Sequence, residues 1–279
     1  MSPELPRTLE EVKAIINNDP LWYTNPVVAS LLDTYFSKES EKQEHNDGWR
    51  NARHEVITVF ADVLKNNQIK LGNAPEYFND DDRWDSMNWD YEQNHGISFL
   101  THEVNSKVQK DHPDTIVIHH SNTANDVDMW EMEALGLLRI YVPNYRTKVF
   151  NTLGEYAPVS SGHYRIIDEG KYIQTFIPYH YLVFADGRVV NVLEDKHTGL
   201  QSGDYITNCR SVAICFIGDC SSELPSDEAI AVVRSLLVHY NTMVVIGHRD
   251  VVHGDRPVET KCPGDTWDEL KNKLLALVT

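Results

Sequence analysis

Apolar positions along the chain change their period partway. In the first part they recur at helical spacing. "SPELPRTLEEVKAII" offers Thr8 as a helix N-cap with Glu11 three residues on, the spacing of a capping box. In "NARHEVITVFADVLKNN", Val56, Val59, Phe60 and Val63 fall on one helical face. "NDDDRWDSMNWDYEQNHG" is acidic, aromatic and without period, and reads as a loop or linker. Residues 1–110 are therefore expected to form a mostly helical region that carries no recognisable chemical motif.

From residue 114 short apolar runs alternate with helical periods. "TIVIHH" (115–120) predicts a buried strand ending in histidines. "DMWEMEALGLLRIYV" sets Met129, Met132, Leu135 and Arg139/Ile140 at helical spacing. "YHYLVFADGRVVNVL" is a hairpin pattern, two apolar runs around Ala-Asp-Gly. "SVAICFIGD" (211–219) and "MVVIGH" predict two more strands. "PSDEAIAVVRSLLVHY" begins with Pro225, a Ser226 cap and acids in its first turn, then an apolar face. In "DTWDELKNKLLALV", Thr266 and Glu269 again have capping-box spacing ahead of a final helix. The alternation predicts an α/β domain over residues 111–279, a sheet covered by helices.

Composition narrows the function class. The 279 residues are 41% hydrophobic and 24% charged, enough for a sizeable core in one large or two modest domains. A formal charge of −17 argues against nucleic acid as a partner, because phosphate binding needs a basic footprint. No apolar run approaches the ~18 residues of a membrane span. The start "MSPELPRTLEEVK" lacks a secretory h-region, so the expected location is the cytoplasm, or a cell wall reached at lysis or by a non-classical route. Four cysteines are too few for a disulfide scaffold, and Cys209, Cys215 and Cys220 read as small buried hydrophobes.

Candidate chemistry concentrates in "GHRDVVHGDRPVETKCPGD" (247–265). Potential ligands fall at element ends: His119 or His120 after the first strand, His248 after the last, Cys262 before the final helix. One thiolate with two imidazoles suits zinc better than magnesium or calcium, and a catalytic zinc keeps three protein ligands and one position for water. The same residues admit a cysteine hydrolase with Cys262 as nucleophile and His248 or His119 as base, the thiol being activated by a helix start beside it.

"IVIHHSNT", "YHYLVFADG", "NCRSVAICFIGD", "GHRD" and "TKCPGD", in that order, resemble the zinc-dependent N-acetylmuramoyl-L-alanine amidases, the group that includes phage lysozyme-type amidases and animal peptidoglycan recognition proteins. The likeness covers about residues 114–279. It implies a central mixed β-sheet flanked by helices, a zinc ion, and peptidoglycan or muropeptides as substrate. Matched position by position, it implies His119, His248 and Cys262 as zinc ligands, and Tyr179 and Thr260 as active-site residues. Hydrolysis is the expected activity. Binding of peptidoglycan without cleavage is the alternative, and in binding-only relatives the cysteine is commonly replaced.

Alternation along a strand keeps His120 from sharing an ion with His119, which makes it a supporting or surface residue. By the same reasoning His180, next to Tyr179, is expected to be packed and hydrogen-bonded, and His253 to be solvated. The chain departs from the family pattern at three places. Cys215 stands where some members carry a glutamate, and Gln201 to Gly203 read "QSG" where "HAG" is common. The second departure is expected to alter substrate contacts more than zinc binding. "VVHGDRPVE" is expected to form an enlarged loop beside the metal.

Overall fold

A computed structural model of the chain describes residues 9–18, 22, 25–37, 40–43, 46–66, 113–141, 163–168, 171–195, 199–240 and 244–276. Thr8 and the "NDDDRWDSMNWDYEQNHG" segment lie outside them. In chain order the main elements are α1 (Leu9–Asn18), α2 (Pro26–Phe36), α3 (Asp47–Asn66), β1 (Thr115–His120), α4 (Met129–Gly136), β2 (His163–Asp168), β3 (Lys171–Thr175), β4 (Tyr181–Val183) and β5 (Val189–Asn191). They continue with α5 (Tyr205–Arg210), β6 (Ser211–Phe216), α6 (Asp227–His239), β7 (Val244–Gly247), β8 (Val252–His253), β9 (Arg256–Pro257) and α7 (Trp267–Leu275). The fold is mixed α/β, with a mixed sheet flanked by helices. Two compact units divide the chain: 1–74 with 128–177, and 75–127 with 178–279.

The second unit holds a five-stranded sheet in the order β5-β4-β6-β1-β7. Strands β4, β6, β1 and β7 run parallel, and β5 returns antiparallel from β4. The return is the Ala-Asp-Gly hairpin, where Gly187 takes φ +80° and its amide donates to the Phe184 carbonyl at 2.9 Å. Every residue of β1 and β6 is buried, which is why these segments read as unbroken apolar runs. Ile116, Ile118, Val212, Ile214 and Phe216 meet Ile230 and Val233 of α6 and Trp267, Leu270 and Leu274 of α7 in one apolar cluster. Each such side chain contributes about 1.5–3 kcal/mol by burial. Ser226 caps α6 as its sequence predicts, accepting from the Ala229 amide at 3.1 Å. Thr266 does not cap α7 with its side chain. Its hydroxyl donates instead to the Cys220 carbonyl at 3.3 Å, a tertiary partner that takes it away from the helix end.

In the first unit Val56, Val59, Phe60 and Val63 are all buried along α3, the face their spacing marks. Trp22 meets Phe60 edge-on with ring centroids 5.4 Å apart, and Lys13 of α1 reaches Asp62 at 3.1 Å. Helix α4 starts with a complete capping box, Asp128 accepting from the Glu131 amide and Glu131 from the Asp128 amide, each at 2.9 Å. Its Glu133, 2% exposed, accepts the Phe176 amide at 2.6 Å and the Thr175 hydroxyl at 2.9 Å. Gly136 has no room for a side chain, since a Cβ there would lie 2.1 Å from the Phe176 carbonyl oxygen. The helical period predicted through Ile140 continues past Gly136 as one wider turn, Leu137–Tyr141.

Candidate metal centre

Parallel pairing of β1 with β7 sets Ile118 opposite Gly247. The next residue on each strand is a histidine, so register alone delivers His119 and His248 side by side at the carboxyl end of the sheet. Their ring centroids are 4.7 Å apart. Gly247 makes the turn possible by lacking a Cβ: one built there would lie 2.8 Å from the Trp267 ring and 2.9 Å from Pro263.

The third donor arrives on the segment after β9. Arg249 fastens that segment to the end of β7: its amide donates to the Cys262 carbonyl at 2.8 Å, its Nε to the Lys261 carbonyl at 3.1 Å, and its guanidinium pairs with Asp265 at 3.4 Å. Asp250 completes the fastening by accepting from the Gly247 amide (2.9 Å) and the Trp267 indole (2.7 Å). The ligand atoms of His119, His248 and Cys262 consequently all lie within 4.8 Å of one another. Cys262 Sγ is 3.6 Å from His119 Nδ1 and accepts from the His120 amide at 3.4 Å.

Three lone-pair atoms facing one another repel unless a proton or cation lies among them. One soft thiolate and two imidazoles form a donor set suited to zinc, and three protein donors leave a coordination position for water. The residues present therefore fit the ion that the family likeness implies. The final helix begins at Trp267 rather than directly after Cys262. The His120 amide is the donor that reaches the sulfur.

Tyr179 stands next to the cluster in the extended segment before β4, its ring centroid 4.9 Å from that of His119. Thr260 Oγ1 accepts from the Cys262 amide at 3.1 Å, which leaves its hydroxyl hydrogen available to donate elsewhere. His120 is buried and accepts from the Cys220 amide on Nδ1 at 3.0 Å. His180, fully buried, accepts from the Ala213 amide at 3.0 Å and so ties β4 to β6. Cys209, Cys215 and Cys220 are buried thiols. Burial pushes the Cys220 thiol up to about 12, with Asp219 and then Cys262 adding to the effect, so it stays protonated near the site.

"VVHGDRPVE" forms a small hairpin, β8 paired with β9 around Gly254 at φ +60°. His253 at its tip is exposed, and its Nδ1 lies 3.0 Å from Asp204 Oδ1, a partner that the solvated reading left out. Gln201, expected from the sequence to bear on substrate contacts, has a partner that the sequence did not suggest. It is buried, with Oε1 2.5 Å from His119 Nε2. No local signal reveals this contact, because the pair lies 82 residues apart.

A family model described as N-acetylmuramoyl-L-alanine amidase matches residues 109–265. Among solved structures, the endolysin amidase LysCS of Clostridium intestinale is 20% identical, covering 58% of this chain and 83% of its own, with a TM-score of 0.36. The endolysin of a Thermus scotoductus bacteriophage is 19% identical over 66% of this chain and 95% of its own, with a TM-score of 0.38. Drosophila peptidoglycan recognition protein SD is 20% identical over 57% and 79% of the two chains, with a TM-score of 0.36. Comparison with curated protein sequences finds no match.

Proposed function

The chain belongs to the N-acetylmuramoyl-L-alanine amidase family, and on that premise we propose that it is a zinc-dependent hydrolase of the amide between N-acetylmuramic acid and L-alanine, with residues 111–279 as the catalytic region. The observation that carries the proposal is the convergence of His119, His248 and Cys262 at the strand ends. Zinc held there supplies a water that ionises near neutral pH and a Lewis acid for the scissile carbonyl.

The chain's own groups do the rest. Tyr179 donates its phenolic proton to the oxygen that gains charge as the carbonyl is attacked. Thr260 donates its hydroxyl to the same region while its oxygen holds the Cys262 amide. Arg249 and Asp250 keep the two ligand-bearing segments together. The retention of all three donors supports cleavage over binding alone. Peptidoglycan or soluble muropeptides are the substrates this reading assigns. Among the described residues no helix is long and apolar enough to cross a membrane.

A second reading has one observation behind it. The 3.6 Å contact between Cys262 Sγ and His119 Nδ1 is also a thiol–imidazole pair of the kind a cysteine hydrolase uses. Incubation with peptidoglycan and with muropeptides, with and without a chelator, separates the two. Release of stem peptides beginning with L-alanine, lost on chelation and restored by zinc, supports the metal reading. Activity that survives the chelator and is destroyed by a thiol alkylator overturns it. Preference for intact wall or for soluble fragments then distinguishes wall lysis from muropeptide recycling.

A further inference from the structure

We propose that Gln201 is a positioning residue for the metal centre, holding His119 in the tautomer and orientation that present its Nδ1 lone pair beside Cys262. The inference rests on the metal reading above and concerns this chain's own departure from the family pattern. Gln201 Nε2 donates to Ser211 Oγ at 3.0 Å. In that orientation Oε1, which can only accept, faces His119 Nε2 at 2.5 Å. His119 Nε2 must then carry the proton, and Nδ1, 3.6 Å from Cys262 Sγ, carries the lone pair. The opposite amide orientation would place a proton on Nδ1, aimed at the thiol, and spoil it as a ligand.

The loop holding Gln201 is itself fixed. Asn208 Oδ1 accepts from the amides of Gln201 (3.2 Å) and Ser202 (2.9 Å) and from the Ser202 hydroxyl (2.8 Å). Gly199 permits the loop's close approach, since a Cβ there would lie 2.0 Å from the Pro178 carbonyl oxygen. Gln201, Ser202, Asn208 and Ser211 are all at most 6% exposed, so water does not compete for these bonds. A ligating histidine whose second nitrogen is held by a fixed acceptor binds metal better, and loss of such an acceptor typically costs about 10–100-fold in affinity.

The test measures zinc affinity of the full chain by competition with a chromophoric chelator. Gln201→Met keeps length and removes both polar atoms; it is expected to weaken zinc binding about 10–100-fold. Gln201→Glu keeps an acceptor for His119 and is expected to bind within a few-fold of wild type. Ser211→Ala frees the amide to turn and is expected to give an intermediate loss. Far-ultraviolet circular dichroism and melting temperature report folding for each variant. Wild-type affinity in Gln201→Met, or a Gln201→Glu no better than Gln201→Met, overturns the role of Gln201. If Gln201→Met fails to fold, an unchanged affinity in Ser211→Ala overturns it. His119→Ala separates the premise: wild type that takes up no zinc, or takes it up as well as His119→Ala, removes the metal reading and the Gln201 role with it.

Discussion

Glu133 and His119 are both buried ionisable side chains, one in each unit, and they are used in opposite ways. Glu133 is 2% exposed and His119 1%. Both oxygens of Glu133 accept from donors at the end of β3, the Thr175 hydroxyl and the Phe176 amide. Donor and acceptor match, so the carboxylate is a fastening that holds α4 to the strand end. His119 has one nitrogen held by Gln201, while the other faces a thiol and stands near a second imidazole. There two imidazoles and a sulfur converge, a donor set that a proton or a cation can bridge. A buried polar group answered by its opposite stabilises the fold; several of one kind facing each other mark a binding place.

The strongest way to break this contrast is at the ligands. Cys262→Ser or His248→Ala is expected to abolish zinc uptake and amide cleavage to the assay background. Metal analysis and product mass spectrometry check both, and circular dichroism is expected to stay unchanged. Tyr179→Phe tests a neighbour that is outside the donor set. Its zinc content is expected to be that of wild type while kcat falls about 10²–10³-fold, the usual effect of removing one oxyanion donor. Wild-type turnover in that variant removes Tyr179 from the chemistry.

Glu133→Leu is the converse experiment. It strands the buried Phe176 amide and the Thr175 hydroxyl, and is expected to cost about 2–3 kcal/mol of stability in denaturant unfolding, with zinc affinity unchanged. If zinc affinity falls as well, the two buried groups are not the independent devices described above.

Much of this was legible from the apolar period. β1 and β6 stand out because both faces of a central parallel strand are buried, and the hairpin because Gly187 must take a positive φ. The cap on α6 was legible because its donor lies three residues away. Thr266 has the same local spacing but chooses the Cys220 carbonyl, and nothing local announces that choice. Residue types at element ends put His119 or His120, His248 and Cys262 forward, and likeness to a family selected among them, since Cys262 lies 143 residues from His119. Once the register of β1 on β7 is known, two of the three donors follow from it. Gln201 shows the limit: its departure from the family was visible, but the direction of its side chain was not.

Alkaline titration gives a smaller effect that belongs wholly to the fold. Tyr240 donates to Asp195 at 2.7 Å and shares a 2.8 Å bond with Tyr181. Burial first, then these bonds, push the Tyr240 phenol well above 10; Tyr181 is raised too, chiefly by burial. The folded state holds both protons more tightly than the unfolded chain does. Stability from these groups is therefore full below about pH 10 and declines as pH rises beyond it. Denaturant midpoints at pH 8 and 10.5 are expected to show the decline, and Tyr240→Phe to flatten it.

The smallest effect is expected at the hairpin tip. His253 Nδ1 and Asp204 Oδ1 are 3.0 Å apart, but the His253 side chain is 60% exposed against 7% for Asp204. Solvent on the histidine side limits such a pair to about 0.2–1 kcal/mol. The hairpin also has other anchors: the Val258 amide donates to the Val251 carbonyl at 2.9 Å, and a Cβ on Gly203 would touch Val258 at 3.3 Å. His253→Ala should therefore leave zinc affinity within about twofold and lower stability by less than about 1 kcal/mol. Asp204→Ala should cost about 1 kcal/mol more, because Asp204 Oδ2 also caps α5 through the Thr207 amide and hydroxyl, each at 2.7 Å. A double-mutant cycle between the two isolates the pair. Coupling that appears in stability alone leaves His253 a surface contact; coupling that appears in zinc affinity makes the hairpin part of what holds the donors in place.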